Sequence, residues 1–330
     1  MPQPHQPGLR QACTRSGVFP HRVSVMTSLA PLPSSVLRAW GEPTVTLSAR
    51  CTTPFTRDGA SVGEIERYPG GSAYTTAVVA ALCGIDVEFH GPFAMDEPGL
   101  WMLAAAQRSG VTVVPVAARR SRHTVDVIDL DGSRSVVNDL RDQFCDPYAS
   151  TVSFDTPGLL HISVSSLQRD MTGATWEMLA RHRDLCVLSV DAGSVQALEA
   201  WGPDRMTALL EQFQVSVLFA NESEAEHLQR SLGSKVLDRL PLMVVKRGPH
   251  PTEVYTSGTL QRFAVDAVAA VDSTGAGDSF AAGFLAAWCS GRSLEVAVVL
   301  AQAVSKVCVE TRGTLPDADG VRACASRLLR

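Results

Sequence analysis

Short apolar runs rich in β-branched residues alternate with longer helical patterns along most of this chain, and this alternation constrains the fold more than any other feature. The predicted strands are Val36–Trp40, Val87–His90, Leu159–Val164, Cys186–Val190, Val215–Ala220 and Leu242–Lys246. The predicted helices are Tyr74–Cys83, Gly99–Ser109, Thr172–His182, Met206–Gln214, Glu222–Leu232, Ser279–Cys289 and Leu294–Thr311. This pattern predicts a doubly wound α/β fold, in which helices cover both faces of a mostly parallel central sheet. Ligands of such a fold bind outside the carboxyl ends of the strands.

One stretch breaks this alternation, because three strand-like runs follow one another without a helix between them. They are Val111–Val116, Thr124–Asp129 and Ser135–Asn138. Asp131-Gly132 between the last two is a hairpin turn signal, and Thr44–Ser48 is a further short run of the same kind. We therefore expect a small β-sheet lid on the main domain, with strands from about residues 44–60 and 111–138.

The composition is that of a globular protein of 330 residues, with 45% hydrophobic and 19% charged residues and a formal net charge of −5. This charge gives no basic surface for nucleic acid, and no apolar run reaches the roughly 20 residues that cross a bilayer. Neither nucleic acid nor a membrane is therefore an expected partner. The eight cysteines contain no CxxC pair, which favours buried free thiols in a reducing cytoplasm over disulfides or a zinc site.

The first 33 residues differ from the rest of the chain. They are rich in proline and contain three arginines, and the first acidic residue of the chain is Glu42. An acid-poor leader with arginines is compatible with an organelle transit peptide. Because it lacks amphipathic helix periodicity, we favour a disordered leader or an over-long start before Met26. The folded domain is expected at residues 34–330.

The strongest functional signal is the segment Asp272-Ser273-Thr274-Gly275-Ala276-Gly277-Asp278. It follows a strand-like run, Phe263–Val271, and precedes an alanine-rich helix. Its two glycines allow backbone conformations that a side chain would block, so that successive N–H groups can point at one anion. These groups also lie at a helix N-terminus, where unpaired donors and the helix dipole attract negative charge. We predict that Gly275, Ala276 and Gly277 form an anion hole.

Asp278 ends this segment and is the predicted general base. A carboxylate beside a bound phosphate is repelled unless it has a task, and the task that fits is to accept the proton of an attacking hydroxyl. The pattern therefore indicates phosphoryl transfer from ATP to a small polyol. The alternative is a helix-capping aspartate, but the six fixed positions of D-x-T-G-A-G-D arise by chance in about one chain of this length in 10⁵.

This segment resembles the C-terminal signature of the ribokinase family of carbohydrate kinases, and the resemblance extends over most of the chain from about Ser34. Gly70-Gly71 resembles the family's di-glycine signature, and Asn221-Glu222-Ser223-Glu224 its N-x-x-E motif. The resemblance implies substrate contacts from Gly70, Gly71 and the residues at positions 46 and 75. It also implies nucleotide contacts from Asn221, Glu224, Lys246, Gly248, Gln302 and Gly313.

The resemblance further implies two kinds of cation. Asn221 and Glu224 lie one helical turn apart and would hold Mg²⁺ through water together with ATP. A monovalent cation such as K⁺ is implied near Asp272 and Thr274. The lid is expected to close over the substrate and to be the contact of a homodimer. By itself, N-x-x-E is equally explained by a helix N-terminus with a surface glutamate, and Gly70-Gly71 by a simple turn.

The substrate end departs from the family's pattern. Thr46 stands where the family usually has an aspartate that accepts hydrogen bonds from sugar hydroxyls. Thr75 stands where the family usually has an asparagine that also contacts the sugar. The segment after Asp191 lacks the asparagine and arginine of many relatives. Replacing a carboxylate by a hydroxyl removes a charge-assisted hydrogen bond, which is about twice as strong as a neutral one. We therefore expect a substrate that is less polar than a plain sugar, phosphorylated, acidic (a sugar acid, for example) or nucleoside-like.

Two functions from different classes remain. The first is an ATP-dependent kinase that phosphorylates a hydroxyl of a carbohydrate-like substrate. The second is a catalytically weak or silent protein that binds a nucleotide or metabolite as a sensor, which Thr46 and Thr75 favour slightly and Asp278 opposes. The chain contains no GxxxxGK[ST] or GxGxxG motif, which disfavours P-loop kinases and dehydrogenases.

Overall fold

The computed structural model describes residue 32 and residues 35–139, 151–167, 173–256 and 259–330. The predicted leader, apart from Leu32, lies outside the described residues. So does Thr172, where we predicted the start of a helix.

Thirteen strands are present in the described part of the chain. They are β1 (Leu37–Trp40), β2 (Thr44–Cys51), β3 (Gly63–Gly70), β4 (Val87–Ala94), β5 (Thr112–Ala118), β6 (Arg122–Ile128), β7 (Arg134–Asn138), β8 (Gly158–Ser163), β9 (Cys186–Asp191), β10 (Val217–Asn221), β11 (Met243–Lys246), β12 (Thr252–Thr256) and β13 (Thr259–Phe263). Nine of them form a central sheet in the order β13-β12-β11-β10-β9-β8-β1-β4-β5. The seven strands from β11 to β5 pair in parallel, and β12 and β13 are antiparallel at one edge.

Eleven helices are present within the described residues, and the last three of them follow β13. They are α1 (Ser72–Leu82), α2 (Glu97–Arg108), α3 (Val164–Leu167), α4 (Ala174–His182), α5 (Val195–Trp201), α6 (Pro203–Gln212), α7 (Glu222–Leu232), α8 (Ser234–Leu237), α9 (Ala276–Cys289), α10 (Leu294–Val309) and α11 (Ala318–Leu328). The mostly parallel sheet with its helices confirms the predicted α/β fold. Helix α6 begins with Pro203 at N1, a position where the missing N–H of proline costs no hydrogen bond.

The strands that are not in the central sheet form the small lid. Its order is β3-β2-β6-β7, with β2 and β6 parallel and both outer pairs antiparallel. The Asp131-Gly132 hairpin is present between β6 and β7. The outer strand β3 was not predicted, because most of its side chains are exposed and its sequence carries little apolar alternation.

Two strand predictions were wrong. We assigned Val111–Val116 to the lid, but β5 pairs in parallel with β4 from Thr112 opposite Glu88 to Ala118 opposite Ala94. Helix α2 precedes it, so β4-α2-β5 is a β-α-β unit, whose strands pair in parallel. The run Phe263–Val271 is not a strand beyond Phe263; instead, the N–H of Val271 donates to the carbonyl oxygen of Val309 at 2.7 Å.

The central sheet separates two hydrophobic cores, because alternate residues of each strand point to opposite faces. Leu37 and Phe219 belong to one core, which α1, α9 and α10 cover, and Trp40 belongs to the other. Every residue of α9 from Ser279 to Cys289 is buried, and the rings of Phe284 and Phe219 meet edge to face at 5.3 Å. Full burial of such a side chain contributes about 1.5–3 kcal/mol. This packing fixes where the N-terminus of α9 lies above the sheet.

Within the described residues, every helix is too short or too polar to cross a lipid bilayer.

Candidate active site

Polar side chains meet at the carboxyl ends of three adjacent parallel strands. Asp191 ends β9, Asn221 ends β10 and Lys246 ends β11, and β10 lies between the other two strands. The N-terminus of α9 reaches the same edge, since a β-carbon built on Gly277 would lie 3.1 Å from Nζ of Lys246. The glycine segment (Asp272–Asp278) and the strand ends therefore form one site, at the edge where this type of fold binds ligands.

Gly275 shapes the turn that leads into α9. It has a left-handed conformation with φ of 78°, and a β-carbon there would collide with the carbonyl oxygen of Thr314. Both the backbone conformation and the packing therefore require glycine. Ahead of the turn, the N–H of Thr274 donates to Oδ1 of Asp272 at 2.9 Å.

The amides of the predicted anion hole have different surroundings. The N–H of Ala276 donates to the carbonyl oxygen of Ser273 at 3.2 Å, so this amide is engaged within the turn. The N–H groups of Gly277 and Asp278 lie in the first turn of α9, where a helix has no acceptor for them. The geometry therefore favours the amides of Gly277 and Asp278, rather than that of Ala276, as donors to an anion.

Asp278 is held between the first turns of α9 and α1. The hydroxyl of Ser72 donates to its Oδ1 at 2.6 Å. Ser72 follows Gly71, which has a φ of 104° and lies so close to the carbonyl oxygen of Glu42 that no side chain fits. Ser72 was not predicted as a site residue, although its place directly after two glycines and at the start of a helix was a usable signal.

The electrostatics of the site couple three carboxyl groups to one ammonium. Burial and the negative charge of Asp191 raise the pKa of Asp278 to about 7, against the hydrogen bond from Ser72 and the charge of Lys246. Burial and Asp191 likewise raise the pKa of Glu224 to about 7. Burial alone would lower the pKa of Lys246, but Asp191, at 2.8 Å, and Glu224 raise it above its ordinary value. A carboxyl group with a pKa near 7 is suited to general base catalysis at neutral pH.

Asn221 and Glu224 form a reciprocal capping box at the start of α7. The N–H of Glu224 donates to Oδ1 of Asn221 at 2.9 Å, and the N–H of Asn221 donates to Oε2 of Glu224 at 2.8 Å. Nδ2 of Asn221 donates to Oε1 of Glu224 at 2.7 Å. The motif thus has a structural role. Each Glu224 oxygen keeps a second lone pair, so the pair fits a hydrated Mg²⁺, which binds proteins through few carboxylates and retains waters.

The three other predicted nucleotide contacts lie on different elements. Gly248 lies in a left-handed turn after β11 with φ of 55°. Gln302 on α10 donates to Oγ1 of Thr252 at 3.1 Å. Gly313 packs so closely on the ring of Tyr68 in the lid that no side chain fits. The structure therefore brings Gly313 to the lid side of the glycine segment.

The carboxylate of Asp272 is already engaged by protein donors. Besides Thr274, the N–H of Gly313 lies 3.2 Å from its Oδ2, and the guanidinium of Arg50 from lid strand β2 lies 3.4 Å from the same oxygen. The carbonyl oxygen of Thr274 accepts from Sγ of Cys308 at 3.4 Å. Because a protein cation already faces Asp272, these residues do not fit the monovalent cation that the resemblance implied.

The predicted substrate residues lie on two lid strands and at the start of the helix that follows them. Thr46 is buried in β2, opposite Tyr68 of β3, and a β-carbon on Gly70 would lie 2.8 Å from its hydroxyl oxygen. Thr75 is buried in the first turn of α1. The ion pair between Arg122 of β6 and the buried Glu42 joins the lid to the end of β1 and was not predicted.

Comparison with known proteins agrees with this geometry. Residues 39–319 match a family model described as pfkB family carbohydrate kinase. The chain is 29% identical over 281 residues to an ATP-dependent ribose-1-phosphate kinase of Halopiger xanaduensis. This alignment covers 81% of this chain and 90% of that protein. It is 30% identical over 131 residues to a nucleoside kinase of Methanocaldococcus jannaschii. This alignment covers 38% of this chain and 42% of that protein. The solved adenosine kinase of Sinorhizobium meliloti superposes with a TM-score of 0.76 at 21% identity and covers 88% of this chain and 98% of that chain.

The site and the fold define a phosphotransferase that acts on an alcohol group. Since the family model spans most of its length, the chain belongs to the pfkB family of carbohydrate kinases. It is a sugar or nucleoside kinase of the ribokinase type. This membership supports the kinase prediction over the alternative of a catalytically silent sensor.

Proposed function

We propose that this kinase transfers the γ-phosphate of ATP to a hydroxyl of a phosphorylated pentose, with Asp278 as the general base. The observation that carries the proposal is the position of Asp278. Asp278 lies in the first turn of α9, next to Gly277, which leaves room at the helix N-terminus. The hydroxyl of Ser72 donates to Oδ1 of Asp278 at 2.6 Å. A base placed beside an anion hole can accept the proton of a hydroxyl that attacks a bound phosphoryl group.

The remaining groups of the site support this chemistry. The amides of Gly277 and Asp278 would meet the phosphoryl oxygens at the positive end of the helix dipole. Asn221 and Glu224 would hold Mg²⁺ through water, and the bound ion would offset negative charge on the phosphates of ATP. The lid would exclude water, which protects the phosphoryl donor from hydrolysis. The homodimer through the lid and the cytoplasmic location stay predictions.

The proposal of a phosphorylated substrate has two supports. Thr46 leaves a neutral hydroxyl where a carboxylate would bind an ordinary sugar, so a negatively charged group is not repelled there. A relative that matches over 90% of its own length carries the name ATP-dependent ribose-1-phosphate kinase. A nucleoside is the second candidate, because another relative is named as a nucleoside kinase.

The substrate is tested by measuring ADP release with ribose-1-phosphate, ribose-5-phosphate, ribose, fructose and adenosine. We expect kcat/KM for a pentose phosphate to exceed that for ribose and fructose by at least about tenfold, which corresponds to about 1.4 kcal/mol. Equal turnover of plain ribose would contradict the substrate class. Adenosine as the best acceptor would establish the nucleoside alternative.

The general base is tested with Asp278→Asn, which keeps the shape of the side chain and removes its basicity. We expect kcat to fall by about 10²–10⁴-fold, with ATP binding measured by calorimetry within about threefold of wild type. Asp319→Asn, a change at an exposed carboxylate on α11, is the matched control and should leave kcat unchanged. Retention of more than a tenth of the wild-type kcat in Asp278→Asn would exclude the proposed base.

A further inference from the structure

Lys246 occupies a position that stability alone does not explain. Only 14% of its side chain is exposed, and its ammonium extends past the end of β10 to Asp191 on the next strand. The distance from Nζ to Oδ2 of Asp191 is 2.8 Å. Removing two charges from water is costly, and a buried ion pair is often no more stabilising than an apolar pair of the same volume.

The ammonium of Lys246 also lies against the N-terminus of α9. A β-carbon on Gly277 would lie 3.1 Å from Nζ and 3.8 Å from Cε, so glycine at this position leaves the space open. The N-terminus of a helix carries a partial positive charge, which repels a cation placed there. Two positive groups thus face one space, and an anion that enters this space would contact both.

Carboxyl groups from three elements surround the ammonium. Asp191 comes from β9, Glu224 from α7 and Asp278 from α9, and all three attract it. Asp191 is the one in direct contact. An arriving phosphate would meet the ammonium on the side of Gly277.

We infer that Lys246 is a catalytic residue whose ammonium contacts the transferring phosphoryl group, and that Asp191 is the positioning residue that holds it. This inference rests on the proposed function. In the transfer, the acceptor oxygen forms a bond to the γ-phosphorus, the bond from phosphorus to the ADP oxygen breaks, and the acceptor proton passes to Asp278. Lys246 keeps its proton and offsets the charge spread over the phosphoryl oxygens.

The first test is Lys246→Met, which keeps the length of the side chain and removes the charge. We expect kcat to fall by about 10²–10³-fold, the usual loss for a donor that stabilises transition-state charge. Arg239→Gln removes a cation from an exposed ion pair with Glu211 and should leave kcat within about twofold. An unchanged kcat in Lys246→Met would overturn the inference.

A purely structural role predicts a different result in a double variant. Lys246→Met leaves Asp191 buried without its partner, and Asp191→Asn in addition removes that unpaired charge. We expect Asp191→Asn/Lys246→Met to regain thermal stability relative to Lys246→Met while kcat stays low. Recovery of kcat to near the wild-type value would mean that Lys246 only balances the charge of Asp191.

A binding measurement separates this inference from the assignment of Asp278. ADP with aluminium fluoride and Mg²⁺ mimics the transferring phosphoryl group without needing a known acceptor. We expect it to raise the melting temperature of the wild type and of Asp278→Asn, and to lose most of this effect in Lys246→Met and in the double variant. Equal shifts in wild type and Lys246→Met would overturn the role of Lys246, whatever the base proves to be.

Discussion

The two ends of the active site are built in different ways. The transfer end consists of Asp191, Glu224, Lys246 and Asp278, which are anchored on parallel strand ends and helix N-termini over a packed core. The lid end has the neutral Thr46 and contacts the segment Asp272–Asp278 through the ion pair of Arg50 with Asp272. The lid strands β3 and β7 are largely exposed. We conclude that changes at the transfer end should alter turnover with every acceptor, whereas changes at the lid end should alter the choice of acceptor.

The largest effect is expected from Gly275→Ala at the transfer end. Its positive φ and the carbonyl oxygen of Thr314 both oppose a β-carbon, so the turn must move and carry Asp278 with it. A displacement of about 1 Å of a reacting group costs about 10²-fold in rate. We expect at least that loss in kcat, measured by ADP release, for every acceptor tested.

Gly291→Ala is the matched control for that variant. Gly291 also has a positive φ, of 68°, but a β-carbon there would meet no atom within 4 Å. The control should therefore lose about 1–3 kcal/mol of stability from backbone strain and keep its kcat. If both variants lost activity equally, left-handed strain rather than the position of Asp278 would explain the loss.

The second effect is the pH dependence of catalysis. Asp278 must be ionised to accept a proton, and burial raises its pKa to about 7. We therefore expect kcat/KM to fall about tenfold per pH unit below pH 7, because the ionised fraction falls in that proportion. The measurement needs an uncharged acceptor, since a phosphate ester itself titrates near pH 6. A flat profile between pH 5 and 7 would show that no group with this pKa is the base.

Ser72→Ala sharpens the pH prediction. The hydroxyl of Ser72 donates to the carboxylate and lowers the pKa of Asp278, so its removal should move the acid limb of the profile to higher pH. Ser293→Ala, which changes the cap of α10, should leave the limb where it is. Loss of activity without a shift of the limb would indicate that Ser72 only positions α1.

The sequence predicted the segment from Asp272 to Asp278 as a unit but not the contacts across the site, for a physical reason. The residues from Asp272 to Asp278 are contiguous, and a helix N-terminus gives them one local function. The pair Ser72 and Asp278 is separated by 206 residues, and the pair Arg50 and Asp272 by 222. No local pattern encodes such contacts, since they depend on how the lid and two helices pack. For the same reason, the apolar run of β5 predicted a strand but not the sheet to which it belongs.

The third effect concerns the acceptor and the lid end. Thr46→Asp should restore a charge-assisted hydrogen bond to a sugar hydroxyl, which is about 1 kcal/mol stronger than a neutral one. We expect the ratio of kcat/KM for ribose to that for ribose-1-phosphate to rise by about 5- to 10-fold. Thr46→Asn, which has similar size and no charge, should change the ratio less. A rise in kcat for both acceptors would contradict the assignment of this end to selectivity.

The smallest effect concerns monovalent cations and the contact between the two ends. Arg50 brings a guanidinium from the lid to Oδ2 of Asp272 at 3.4 Å, so this carboxylate does not depend on an external cation. We expect the wild-type rate to change by less than about twofold when potassium is replaced by N-methylglucamine.

In Arg50→Gln the carboxylate of Asp272 loses its cation, and added potassium should then raise the rate by about two- to threefold, because screened and partly exposed charges contribute about 1 kcal/mol or less. Arg322→Gln on α11 removes an exposed arginine and should not create this dependence. Strong potassium activation of the wild type would show that Arg50 does not take the place of the ion.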